Sequence, residues 1–388
     1  MSALASDRNA ELDALRGLAA LAVVLFHTNV KWMPVGWAAV DLFFVLSGYL
    51  ITTIILRNGR TKGFLLRFYV RRGLRVWPIY YLLVLIMAAA VPWLYRQYDW
   101  SGLLYVLTFT QGIGHYVRSP SPTFTYYLGH TWTLAIEEQF YLLWPALLLF
   151  VGLDRRRVAA LGAICVIGSA VARWRGLPVS ILGGRGDGLA LGGILAAWLL
   201  DVSPRSTRAG RITWILAGLG ALATAGLIAL ALGTGLDTAA LRTPAAGPII
   251  LALSLLFSAI VGIAVCQTGN PWLSPLRAES LRQLGEMSYG LYLYHMPILL
   301  LAGDIARAFG RRGAPLWRHA LALGICFAVA RLSWLYVESP VLRLKDRFAY
   351  RPTPPREPAP INGPVSMGSS SRRGGAPEGR SAVRQAGR

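Results

Sequence analysis

ELDALRGLAALAVVLFH, Glu11–His27, is an apolar run long enough to begin a membrane span, with Arg16 near its start, His27 near its end and ten residues between them. Ionisable side chains are costly in hydrocarbon, and those that occur there face a cavity, a partner or a substrate path. The rest of the sequence is therefore read for a membrane cavity around His27 and for a group that reacts there.

Composition agrees with a membrane setting. Of the 388 residues 55% are hydrophobic and 15% charged, with a mean hydropathy of +0.48; a soluble domain carries about 25% charged residues. Long apolar runs without strand-like alternation predict an all-α, polytopic integral membrane bundle and exclude an outer-membrane barrel. The net charge of +21 does not point to nucleic acid. Its Lys and Arg collect in short connectors and in the tail, as the positive-inside rule requires, and no recognition motif accompanies them. Cys165, Cys266 and Cys326 lie inside apolar runs without metal-ligand spacing and read as packing residues; no metal is expected.

About ten spans are expected, near 12–30, 38–56, 76–95, 133–151, 158–172, 186–200, 212–232, 248–266, 288–305 and 317–337. The apolar piece Leu103–Thr110 is too short to cross and reads as re-entrant or interfacial. Arg57, Arg60, Lys62, Arg67, Arg71, Arg72 and Arg75 form a connector of seven basic residues with no acidic one, which marks the cytoplasmic side. Both termini are then cytoplasmic in a multi-pass inner-membrane protein. His27 stands ~16 Å beyond Arg16 along the helix, at ~1.5 Å per residue, in the outer half. Residues 1–11 are expected as a polar N-terminus without a cleavable leader, 12–345 as the membrane domain, and 346–388, rich in Pro, Gly, Ser and Arg, as a disordered cytoplasmic tail. Small-residue spacings such as Gly188–Gly192 and Ala217–Ala221 predict close helix packing.

Charged groups in or beside the spans are the chemical candidates. His27, Asp41 at the outer end of the second span and Glu137 near the outer start of the fourth can meet in the outer half. A histidine oriented by a carboxylate is a general base for an alcohol proton. Of the adjacent Glu137 and Glu138, one faces the cavity. Arg72 and Arg75, three apart on one helix face, lie level with Arg16 at the cytoplasmic mouth. They read as a phosphate or pyrophosphate site or, on charge alone, as topology anchors. Arg185 and Asp187 read as an ion pair at a span entrance, and Ser47 as a packing hydroxyl. An anionic donor entering from the cytoplasm and a proton acceptor farther out are the functional expectation.

Together the motifs LDALRGLAALAVVLFH with Arg-x10-His, VDLFFVLSGYLIT, RRGLRVWPIYYL, HTWTLAIEEQFYLLWP, RGDGLALGG and MSYGLYLYHMPIL followed by ESP, in this order over Leu12–Pro340, resemble the acyltransferase 3 family of membrane O-acyltransferases, in its form without a fused esterase-like domain. The resemblance implies transfer of an acyl group, commonly acetyl, from cytoplasmic acyl-CoA, a co-substrate and not a bound cofactor, to a carbohydrate hydroxyl. It implies His27 as the catalytic histidine, Arg16, Arg72 and Arg75 around the donor, and a cavity-lining role for Tyr292 and His295, placed in the cytoplasmic half of the ninth span. The acceptor expected first is an envelope polysaccharide or lipopolysaccharide sugar; a glycosylated small molecule such as a macrolide is the second. Membrane lipids are the other partners, nucleic acid is not one, and self-association is left open. A proton-coupled transporter could use the same buried groups, but it should show two related halves with broken helices, which the sequence lacks.

Overall fold

The computed structural model describes residues 9–94, 100, 102–118, 126–234, 238, 241, 243, 245–308 and 316–350. Among them the regular structure is all helical and contains no strand. The helices are α1 Ala10–Thr28, α2 Ala39–Asn58, α3 Phe64–Leu94, α4 Leu103–Leu107, α5 Gln111–Arg118, α6 Trp132–Val151, α7 Arg155–Trp174, α8 Leu182–Arg185, α9 Asp187–Leu199, α10 Thr207–Thr234, α11 Ala246–Cys266, α12 Glu279–Glu286, α13 Ser288–Ala308, α14 Leu316–Ser333 and α15 Ser339–Arg343.

Among the described residues seven helical segments are long and apolar enough to cross a membrane: Gly36–Asn58, Phe64–Ala90, Tyr126–Val151, Arg155–Trp174, Thr207–Gly233, Ala246–Cys266 and Leu316–Phe348. Three further expected spans correspond to α1, α9 and α13. α9 is apolar but has 13 residues. α1 carries Glu11, Asp13 and Arg16 in its first two turns, and α13 carries Tyr, His and Asp along its length. The acids of α1 are served inside the protein. Glu11 accepts from Arg277 (2.9 Å) and from the Gly269 amide (3.0 Å), so its charge is paired rather than bare.

The short piece expected at Leu103–Thr110 is α4 and the turn after it, packed on α3. The Tyr80 hydroxyl donates to the Val106 carbonyl at 2.8 Å and the Tyr81 hydroxyl to the Leu107 carbonyl at 3.0 Å. Phe109 stacks on Tyr80 at 4.3 Å. Side-chain donors thus satisfy the carbonyls that so short a helix leaves open.

Two glycine contacts set the helix heights. Gly17 on α1 meets Gly285 on α12, where a β-carbon on Gly17 would lie 2.8 Å from the Gly285 amide nitrogen and one on Gly285 would collide with the Asp13 carbonyl. Gly48 on α2 and Gly192 on α9 abut the Leu189 and Val45 carbonyls with no room for a β-carbon. The expected contact at Gly188–Gly192 is therefore present. Ala217–Ala221 makes no such contact, because Ala221 is exposed and Gly220 is the residue that approaches α11, at Ala259. Cys266 and Cys326 are buried and Cys165 half-buried, all as free thiols. Large apolar side chains such as Phe150 (90% exposed) and Trp214 (81%) point outward, as lipid-facing groups do.

After α14 one turn widens to a π-helix, Trp334–Glu338, and carries Glu338 of the ESP motif inward to 6% exposure. The chain then closes in a 3-10 turn, Leu344–Phe348, and Tyr350 packs on Phe64 at 5.6 Å. The packed region thus runs past residue 346, where the tail was expected to begin. The rest of the expected tail, 351–388, and the N-terminal residues 1–8 lie outside the described residues.

Candidate active site

The bundle forms a partly open cavity between α1, α2, α3, α6 and α13. Arg16, Arg72 and Arg75 form its cationic end, Ser47, Glu137, Tyr141, Thr133 and Tyr292 its polar wall, and Val40, Phe43, Phe44, Leu50 and Val76 its apolar wall. The three arginines expected together are together. Arg16 reaches Asp13 at 3.2 Å. The Arg72 guanidinium lies 5.2 Å over the Tyr141 ring. Among the described residues neither Arg72 nor Arg75 has an ion-pair partner. Cations left unpaired beside an apolar wall have the chemistry to hold a phosphorylated ligand.

Glu137 faces this cavity and not His27. It accepts from Ser47 (2.8 Å) and from Tyr141 (3.0 Å), and Ser47 is itself 2.9 Å from the Tyr141 hydroxyl. Ser47 is thus part of the cavity's hydrogen-bonded wall rather than only a packing hydroxyl. Glu138, the next residue, turns away to accept from the Trp77 indole at 2.9 Å. One of the two acids faces the cavity, as adjacent helix positions require.

Asp41 does not orient His27 either. It is fully buried and accepts both arms of Arg185, at 3.0 and 2.7 Å. Asp187 pairs with Arg173 at 2.9 Å. The ion pair expected between Arg185 and Asp187 is therefore replaced by two pairs that tie α2 to α8 and α7 to α9. The reason is geometric. Gly48 and Gly192 let α2 and α9 approach closely, which brings Asp41 to Arg185, and a bidentate fork on a fixed carboxylate outcompetes a neighbour two residues away. These four charges are structural, and none of them lines the cavity.

What stands beside His27 is histidine. The His27 ring lies 5.1 Å from His295, and His295 lies 5.0 Å from His130. His27 Nδ1 is 2.9 Å from the Val23 carbonyl. A carbonyl only accepts, so Nδ1 carries the proton and Nε2 the lone pair. By the same reasoning His295 donates through Nδ1 to Tyr292 (2.5 Å) and His130 through Nε2 to Leu293 (3.1 Å). The second nitrogens of His295 and His130 are buried without a partner, whereas His27 is exposed. Of the three, His27 is the one whose lone pair an incoming hydroxyl can reach.

His295 was expected in the cytoplasmic half of its span and is instead level with His27. The Gly17–Gly285 contact explains this: α1 and α13 run in the same direction, and His27 and His295 each lie ten residues beyond that contact. Tyr292 joins the two regions. It lines the cavity, shares a 2.6 Å hydrogen bond with Thr133 and donates to the His130 carbonyl at 3.0 Å. Its ring lies 5.5 Å from His295 and 5.6 Å from His130. A continuous line of side chains therefore leads from the arginines, past Tyr292, to the histidines. No group of three or more metal-ligating side chains occurs among the described residues.

Residues 9–336 match the sequence profile of the acyltransferase domain family. The chain belongs to the acyltransferase 3 family. It is 29% identical over 365 residues to the peptidoglycan O-acetyltransferase OatA of Listeria monocytogenes, covering 85% of this chain and 55% of that protein. It is 30% identical over 365 residues to the putative peptidoglycan O-acetyltransferase YrhL of Bacillus subtilis, covering 85% and 54%. A third relative, the O-acetyltransferase OatA of Staphylococcus aureus, is 27% identical with 88% and 58% covered. The chain thus spans about half the length of the curated relatives it matches. No solved structure matches it significantly.

Proposed function

We propose that this chain is a membrane O-acetyltransferase that moves an acetyl group from cytoplasmic acetyl-CoA to a hydroxyl of a cell-envelope carbohydrate. The observation that carries this reading is the pairing of an uncompensated arginine site with an open imidazole lone pair, joined by one cavity wall. In the proposed course the CoA phosphates lie on Arg72 and Arg75, with Arg16 beside them. The pantetheine arm runs along the Ser47–Thr133–Tyr292 wall and carries the thioester toward His27.

His27 Nε2 accepts the proton of the acceptor hydroxyl as its oxygen attacks the thioester carbonyl. The C–S bond then breaks, and the proton passes to the departing CoA thiolate. An alternative course, in which Nε2 itself takes the acetyl group first, uses the same lone pair, and both require the Nδ1 hydrogen bond to Val23. With Asp41 and Glu137 engaged elsewhere, that backbone carbonyl fixes the ring's tautomer and orientation.

The relatives' names make peptidoglycan sugars the first acceptors to examine. Mass spectrometry of muropeptides and other envelope glycans, with and without the gene, tests this. The reading predicts acetyl-bearing glycans that vanish on deletion and return with the intact gene. Unchanged glycans, with a lost acyl mass on a secreted small molecule, would move the acceptor to that class.

A further inference from the structure

The turn after α15 brings a further cation to α3, the helix that carries Arg72 and Arg75. Lys345 sits half-buried on the 3-10 turn Leu344–Phe348, which packs against α3, the helix of Arg71, Arg72 and Arg75. The turn is latched in place. Arg71 donates to the carbonyls of Lys345 (2.8 Å) and Phe348 (3.5 Å), and its guanidinium lies 5.1 Å over the Tyr350 ring. Arg71 is therefore spent on the backbone, and Arg16 is shared with Asp13. Arg72, Arg75 and Lys345 are left without an ion pair among the described residues. Like charges gathered at a half-buried site raise its energy until an anion joins them. Here the latch on Arg71 holds Lys345 to the cluster where a free chain would let it swing away.

We propose that Lys345 is a phosphate-binding residue of the donor site, and that it takes a second phosphate group, separate from the one on Arg72 and Arg75. This rests on the reading of the cavity as a CoA-thioester site. CoA bears a pyrophosphate at the end of the pantetheine arm and a further phosphate on its ribose 3′ oxygen. Arg72 and Arg75 line the cavity, where the arm would enter; Lys345 lies on the turn that Arg71 holds to the same helix and is not among the lining residues. It therefore meets the phosphate farther from the thioester. A lysine suits that role, since it acts as a point charge on a single phosphate without bidentate geometry.

The test compares acetyl-CoA with acetyl-dephospho-CoA, which lacks the 3′-phosphate, using the full chain in nanodiscs. The wild type should show a KM about tenfold higher for the dephospho donor, the scale of one hydrogen bond to a charged group. Lys345→Gln should raise KM for acetyl-CoA about tenfold at unchanged kcat and leave KM for the dephospho donor unchanged; Lys345→Arg should restore the difference. Equal KM values for the two donors in the wild type would overturn the proposal even if Lys345→Gln fails to fold. So would a Lys345→Gln effect of equal size on both donors. A lysine that serves a lipid headgroup instead would leave KM unchanged on substitution and cancel stabilisation by added phosphatidylglycerol, which also overturns it. If the wild type consumes neither donor, the CoA reading itself fails, an outcome distinct from all of these.

Discussion

At His27 one hydrogen bond decides what the ring can do. Nδ1 is tied to its own helix at Val23, so Nε2 keeps its lone pair on an exposed ring, and the backbone rather than a carboxylate fixes the tautomer. A span-borne histidine and the arginines were legible in the sequence because each is costly in an apolar run. The partners of His27 were not. Asp41 and Glu137 lie on other helices, and which neighbour each faces depends on helix rotation and closest approach, which one sequence does not encode locally. Asp41 shows the consequence. It is buried against Arg185, and removing one member of such a pair strands the other charge. Asp41→Ala should therefore destabilise the protein by about 3–5 kcal/mol, and Asp41→Leu with Arg185→Met should recover most of that loss. Thermal unfolding in detergent measures both; a near-neutral Asp41→Ala would mean that the pair adds nothing to the fold.

At the scale of helices, small residues decide heights and distances. The α2–α9 contact closes because Gly48 and Gly192 let each backbone touch the other. A leucine at Gly192 has no room to turn aside from the Val45 carbonyl and should cost about 3 kcal/mol or more through overpacking. Its unfolding temperature against that of Gly210→Leu, at an open position on α10, gives the comparison; equal values would refute the close-packing account. The helices themselves were readable from apolar length, and the Gly188–Gly192 spacing pointed correctly to this contact. The Gly17–Gly285 contact, which sets His295 level with His27, joins segments 268 residues apart and leaves no periodic trace. The π-turn before Ser339 was equally hidden, since a single widened turn changes neither composition nor spacing.

In the molecule as a whole, the arginine end of the cavity and the His27–His295 pair lie at different depths of one bundle. The basic connector Arg57–Arg75 was the clearest topological mark in the sequence. With the native cysteines replaced, a single cysteine at Lys62 should react with an impermeant maleimide only after the membrane is opened, and one at Lys31 should react in intact cells. The reverse pattern would invert the orientation. Paired binding and transfer assays on His27→Ala and Arg72→Gln/Arg75→Gln separate the proposed work of the two depths. Purified protein is given labelled acetyl-CoA with and without a glycan acceptor. His27→Ala should bind the donor with wild-type affinity and lose transfer by at least about a hundredfold, while the arginine variant should lose donor affinity. Transfer by His27→Ala within a few-fold of wild type, at equal protein level, would contradict the account.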